Sequence, residues 1–505
     1  MSEFPVGQNW LKTHLGLDCP APAVESWCGQ TSRKTYVEEG RVIEKYPLVY
    51  APEESTAGNL KFALKNETLD MGVMAQTMNK VDPAEIEAWV KTEPKGAFAR
   101  RAWFLYEWFT GARLSLPDAG TVNYVHALDE KKNIGAAGRF SQRHKVVDNM
   151  LGVPGLCVTV RPTRLIADAR ASEINRQAQD IVNDCDPALL ARAIQYLFTK
   201  ETKSSFEIER EEPTAQRAER FVAALRNTAA FDPASKRDLV ELQNTIVDPR
   251  YAANDFRDFQ NFVGQTIGPG FEKVHFICPK PEDVEPLMAA WSLLTKRLRG
   301  MSDPVVAATV VAFAFVYIHP FEDGNGRIHR FLIHNVLSRE GFTPPDFLFP
   351  VSAAIIRDEK AYGATLDTFS RPALERTDWR WDRDHNIIVR NDTAHLYRYF
   401  DGTPSVEFIY QKIAETVQKD LKEELDYIRY FDAGYTALTD VIDMPNRRAA
   451  LFVKLCLQNG RISKKKRGLF GELTDDEVSY LEAAVAEAVQ RVKDGLDCDA
   501  EDDDT

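Results

Sequence analysis

From Pro304 to Ile318 the chain carries no charged side chain. A helix built from that run is apolar nearly all round, so it belongs at the centre of a helical domain rather than on its surface. It is too short for a membrane span, which needs roughly 20 residues. Pro304 suits a first helical turn, with Ser302 or Asp303 before it as cap. Pro320 biases His319 away from helical dihedrals, so the helix ends there.

The segment after that helix concentrates chemistry in one short stretch: His319-Pro320-Phe321-Glu322-Asp323-Gly324-Asn325-Gly326-Arg327-Ile328-His329-Arg330. Phe321 is expected to anchor a loop in the core. A second helix starts near Asn325, with Ile328, Phe331, Leu332 and Val336 on its apolar side. The loop therefore sits at a helix N-terminus, where free backbone N–H groups and the helix dipole favour an anion. Gly324 and Gly326 let the backbone approach phosphates closely. Arg327 and Arg330 fall in the first helical turn and can face the same anion. Asp323 offers a hard oxygen to magnesium, which takes one or two carboxylates plus phosphate oxygens. His319, with an unperturbed pKa of about 6.5, suits a general base at neutral pH.

The same residues carry a family resemblance. The stretch matches HPFx(D/E)GNGRxxR, the signature of the Fic (filamentation induced by cAMP) family, at every specified position. Fic proteins typically move AMP from ATP to a Ser, Thr or Tyr hydroxyl of a target protein. The resemblance implies that His319 deprotonates that hydroxyl and that Asp323 holds the Mg2+ bridging the α and β phosphates. It also implies that Phe321, Gly324, Asn325, Gly326, Arg327 and Arg330 form the nucleotide site. In that site Asn325 and the glycine backbone orient the phosphates, Arg327 stabilises the leaving side, and Arg330 reaches the γ-phosphate.

Two neighbouring features extend the likeness. The runs Asn261 to Ile267 and Lys273 to Ile277 flank Gly268-Pro269-Gly270 and read as a hairpin. In the family a flap in this place pairs with the target segment as an added strand, so residues 261–278 are the expected docking site. Many Fic proteins also carry an inhibitory helix, (S/T)xxxE(G/N), whose glutamate pairs with the second motif arginine. Ser205 and Glu209 have that spacing, in a helical segment near 204–211, although Arg210 stands where Gly or Asn is usual. A stricter match, Thr35 to Gly40, lies far upstream in β-like flanks and is set aside.

The chain's 505 residues suggest three or so domains at roughly 100–200 residues each. We expect a mainly α protein: an α+β N-terminal domain at 1–165, a helical Fic domain at 166–375, a helical C-terminal extension at 376–493, and a disordered acidic tail at 494–505. Pro187 to Thr199, capped by Asp186, and Thr214 to Asn227 read as separate helices. Phe98 to Thr110 reads as an aromatic helix packed in a core. Ser405 is read as the cap of a long helix reaching about Tyr430, and Thr474 with Glu477 as a capping box. The region from Tyr399 to Val485 broadly resembles the C-terminal extensions of long bacterial Fic proteins.

Composition narrows the partners. A net charge of −13 argues against a nucleic-acid binder, and Lys464 to Arg467 reads as a solvated basic loop. The seven cysteines form no CxxC pair, so neither a zinc knuckle nor a disulfide framework is indicated. The first residues lack a basic region followed by an apolar run, so a cytoplasmic protein without a membrane span is expected. His329 and His334 do not have the spacing of a metalloprotease pair, and His329 is read as lying on the helix surface. No GxxxxGK(S/T) loop is present. ATP and a target protein are the expected partners, with self-modification and an oligomer both compatible. The rivals are a Fic-fold transferase using another nucleotide donor, and a regulatory DNA- or protein-interaction protein with a self-directed or vestigial site.

Overall fold

The computed structural model describes residues 3–30, 32–38, 41–268 and 271–495. The chain is mainly helical and divides into two compact units. The first comprises residues 1–175 and 200–414, and the second residues 176–199 and 415–505.

At the start of the first unit a four-stranded sheet forms, in which Val24–Gln30 runs parallel to Arg41–Pro47 and Lys34–Glu38 closes the edge. The set-aside motif at Thr35 to Gly40 lies partly on that edge strand, and its Glu39 and Gly40 lie outside the described residues. Packed against the helices Thr56–Asn66, Met71–Lys80 and Pro83–Thr92, the helix Ala97–Thr110 buries Trp103, Phe104, Tyr106 and Phe109, the core role expected of those aromatics.

The apolar helix Pro304–Ile318 is the centre of the rest of the unit. Asp303 caps it by accepting from the Val306 N–H, and every residue from Val305 to Ile318 is buried. It packs against Asn325–Arg339 and Pro281–Arg297. Trp291 ties Pro281–Arg297 to the apolar helix by donating its indole N–H to the Val311 carbonyl at 2.8 Å. The hairpin stands where the sequence placed it, pairing Phe262–Gly268 with Phe271–Ile277. Pro269 and Gly270 of its expected turn lie outside the described residues.

Three boundaries differ from expectation. Pro187 to Thr199 and the segment near 204–211 are one continuous helix, Pro187–Ile208. The polar run Thr199 to Ser204 reads as a break, but Glu201, Ser204 and Ser205 are buried. The helix assigned to Ser405 begins earlier, at Thr403, leaving Ser405 buried inside it. A short second hairpin, Trp379–Trp381 with Ile387–Val389, interrupts the region expected to be helical throughout.

In the second unit Lys422–Thr439, Asn446–Asn459 and Asp475–Lys493 surround a core of Leu438, Phe452, Val453, Phe470, Leu481 and Val485. Thr474 and Glu477 form the expected capping box. The tail beyond Gly495 lies outside the described residues.

Candidate active site

The apolar helix ends in a left-handed residue, His319, with φ 53° and ψ 59°. Such a conformation is uncommon for any residue but glycine, although histidine takes it more readily than most. Arg257 holds it in place. Its Nε donates to the His319 carbonyl at 2.8 Å, Nη1 to Phe259 at 2.8 Å and Nη2 to Pro279 at 2.7 Å. Its own N–H donates to the Pro320 carbonyl at 2.8 Å. One buried guanidinium thus satisfies the carbonyls of a turn that leaves its helix abruptly, which matters because unpaired buried carbonyls are costly.

The half-buried imidazole of His319 lies with Nδ1 3.0 Å from the Val316 carbonyl. That contact requires the proton on Nδ1 and leaves Nε2 with its lone pair. Burial pushes the pKa down to about 4; the Val316 contact and the Glu209 and Asp323 carboxylates oppose this, while Arg257 adds to it. The ring is therefore neutral, and able to accept a proton, at pH 7.

Phe321 is fully buried, edge-on to Phe256 at 5.5 Å. Asn325 closes the loop on itself: its Oδ1 accepts from the Phe321 N–H at 3.0 Å and its Nδ2 donates to the Phe321 carbonyl at 2.9 Å. Both amide atoms serve the backbone, so Asn325 acts by shaping the loop. Gly324 initiates the next helix with φ 89°, and a Cβ there would lie 3.0 Å from Val247. Gln243, also fully buried, donates to the Tyr251 and Asp323 carbonyls at 3.0 and 3.3 Å and accepts from the Ala253 N–H.

The arginines Arg327 and Arg330 are almost completely buried. Arg327 Nη2 donates to both carboxylate oxygens of Asp323, at 2.8 and 3.0 Å, and Nη1 donates to Glu211 at 2.9 Å. Arg330 donates through Nε to the Ser205 hydroxyl at 3.0 Å, and through Nη2 to the Ser205 carbonyl at 2.7 Å and Glu209 at 2.9 Å. The structure therefore brings Ser205 and Glu209 together with the motif's second arginine. The Glu209 carboxylate also fills the space over Gly326, where a Cβ would stand 2.1 Å from its Oε1.

The turn carrying Glu209 explains why glycine or asparagine suits the position after it. Arg210 N–H donates to the Glu207 carbonyl at 2.8 Å and Glu211 N–H to the Phe206 carbonyl at 3.1 Å. This nested pair is a Schellman ending, whose next residue is left-handed. Arg210 meets that demand with φ 56°.

The hairpin is tied to the loop through Asn261, whose Nδ2 lies 3.4 Å from the Phe321 and Glu322 carbonyls. Residues Val263 to Ile267 of its first strand are exposed. Phe262 packs edge-on to Trp381 of the second hairpin at 5.5 Å. His329 is not on the helix surface as expected: it is fully buried against Phe313, 2.9 Å from the Ala312 carbonyl, and burial drops its pKa to about 3. A helix packed on the centre of a domain has little outer face, and His329 points along the shared one.

Sequence reading missed Arg257, Gln243 and Glu211. For Glu211 a signal existed, a second carboxylate beside the recognised one; for the other two none did.

With this geometry in view, comparison with known proteins is direct. Residues 233–337 match the family model described as Fic/DOC family. The protein adenylyltransferase Fic of Aedes aegypti is 33% identical over 112 residues, 21% of this chain and 20% of that protein. The protein of the same name from Nematostella vectensis is 33% identical over 111 residues, 21% of this chain and 23% of that one. The chain thus matches about a fifth of the length of these relatives. Among solved structures, a Fic family protein from Desulfovibrio desulfuricans G20 aligns at 17% identity with a TM-score of 0.38, covering 66% of this chain and 87% of that one. A Fic domain containing signaling protein from Bacteroides thetaiotaomicron aligns at 18% identity with a TM-score of 0.36, covering 52% and 96%. The helical domain built around His319 and the two arginines is a Fic domain.

Proposed function

We propose that this protein transfers AMP from ATP to a Ser, Thr or Tyr hydroxyl of a target protein, and that its own Glu209 restrains the reaction. One observation carries the reading: a neutral imidazole with a free Nε2 stands beside two buried arginines whose donors are met by carboxylates. Carboxylates and phosphate oxygens satisfy the same guanidinium geometry.

In the reaction the target hydroxyl gives its proton to His319 Nε2 as its oxygen bonds to the α-phosphorus. The bond from that phosphorus to the bridging oxygen breaks, and pyrophosphate leaves with the electron pair. Arg327 and Arg330 hold the departing phosphates in line, and the negative charge of the nucleotide raises the basicity of His319 at the moment it is needed. Asp323 fits a magnesium ion: its carboxylate is 40% exposed at the lip of the cradle and offers hard oxygens. Bound there with phosphate oxygens, the ion would neutralise part of the polyphosphate charge. The exposed strand Val263 to Ile267 suits the target as an added strand, main chain to main chain. The six described cysteines, all buried free thiols, suit a reducing cytosol.

The test is incubation of purified protein with α-labelled ATP and a cell lysate. We expect Glu209→Gly to raise labelling of protein several-fold and His319→Ala to reduce it by at least about a hundredfold. Labelling that persists in His319→Ala overturns the assigned chemistry. Labelling that is unchanged in Glu209→Gly overturns the restraint.

A further inference from the structure

We propose that Glu211 is a second internal phosphate mimic, occupying Arg327 as Glu209 occupies Arg330, so that two carboxylates bar the triphosphate. The inference rests on the nucleotide-binding reading above and adds a residue to its regulation.

The Schellman turn makes the arrangement. It places Glu209 as the last helical cap and Glu211 two residues on, with left-handed Arg210 between them. The reversal of chain direction at Arg210 lets both side chains reach down to one face of the helix Asn325–Arg339. There Glu209 Oε1 meets Arg330 at 2.9 Å and Glu211 Oε2 meets Arg327 at 2.9 Å. Arg327 keeps one buried donor, Nε, without a partner among the described residues, while Arg330 also faces the Tyr362 hydroxyl. Arg327 thus has a donor beyond those that Glu211 and Asp323 satisfy, one that a phosphate oxygen could take.

A second arginine distinguishes Glu211 from Glu209. The Glu211 Oε2 that meets Arg327 also accepts from Arg217 Nη2 at 3.0 Å, and Arg217 is itself anchored on the Ile246 carbonyl at 2.8 Å. Both guanidiniums also pack on the Phe206 ring, 5.1 Å from its centre for Arg327 and 5.2 Å for Arg217. When a phosphate takes Arg327, Glu211 retains Arg217. Neither carboxylate nor guanidinium is stranded, which is what makes breaking a buried ion pair costly. The geometry describes an exchange of partners rather than a rupture.

Four proteins test this: wild type, Glu209→Gly, Glu211→Gln and the double variant. Glutamine keeps the shape of the side chain and removes its charge. The readouts are calorimetric affinity for a non-hydrolysable ATP analogue and transfer from α-labelled ATP, with urea midpoints confirming that each variant is folded. We expect Glu211→Gln to tighten analogue binding several-fold, and the double variant to bind about tenfold more tightly than Glu209→Gly, the scale of one charge-assisted hydrogen bond. Analogue affinity that is unchanged or weakened by Glu211→Gln in both backgrounds overturns the proposal. The two readings fail separately. If Glu209→Gly activates transfer while Glu211→Gln alters no affinity, the second mimic falls and the proposed function stands. If Glu211→Gln tightens binding while no variant transfers AMP, the second mimic stands and the proposed function falls.

Discussion

At the scale of single residues, the site is set by side chains whose neighbours leave them one job. His319 has its Nδ1 committed to Val316, and burial holds its pKa at about 4. Because the shift is downward from about 6.5, the neutral form persists on acidification until pH approaches the lowered value. The acid limb of kcat/KM for AMP transfer, which reports the free enzyme, should therefore fall well below pH 6.5. Removing the Glu209 carboxylate, which opposes the shift, should move that limb lower still. An NMR titration of the His319 ring, free and with the ATP analogue, reads the same quantity directly. Gly326 is equally constrained. Since a Cβ there would stand 2.1 Å from Glu209 Oε1, Gly326→Ala should expel the carboxylate. On that background Glu209→Gly should give no further gain in analogue affinity.

At the scale of elements, the turns at either end of the site carry the strain. Arg210 holds a left-handed conformation that disfavours any Cβ. Arg210→Gly should stabilise the helix ending by about 0.5–1 kcal/mol, read as a higher urea midpoint, and lower basal AMP transfer by keeping both glutamates in place. Arg257→Gln should act the other way on stability. Losing donors to three carbonyls should destabilise the protein by about 2–4 kcal/mol and depress transfer, with Arg257→Lys a poor substitute because one ammonium cannot span them. These elements also mark where the sequence could be read and where it could not. The motif from His319 to Arg330 was legible because all its chemistry is contiguous, and the apolar helix before it fixes where it must sit. Ser205 and Glu209 were legible by spacing alone. Arg257 and Gln243 were not, because their roles exist only once distant carbonyls are brought to them. The continuity of Pro187–Ile208 was hidden for a similar reason. Glu201 looks like a surface residue until His334 at 2.8 Å and the Ser352 N–H at 2.8 Å take up its carboxylate.

At the scale of the whole molecule, each unit has its own packed interior. In the second, the helices meet so closely at Gly434 that a Cβ would lie 3.1 Å from both Val453 and Val485. Gly434→Leu should cost about 1–3 kcal/mol by overpacking, seen as a lower denaturant midpoint. The described cysteines, Cys19, Cys28, Cys157, Cys185, Cys278 and Cys456, are all buried, and burial raises their thiol pKa values. Those six should stay unreactive toward a thiol-specific dye in the native protein and react only on unfolding.

The clamp at His319 has an electrostatic corollary. Arg257 gives its donors to neutral carbonyls, so among the described residues no acid meets its positive charge in direct contact. Whichever glutamates are engaged, the floor of the cleft retains a standing attraction for polyanions, and an arriving nucleotide brings the counter-charge this corner lacks. Occupancy should then stiffen the corner as well as fill it, with the amide protons of residues 257–259, His319 and Phe321 exchanging more slowly once the ligand is in place.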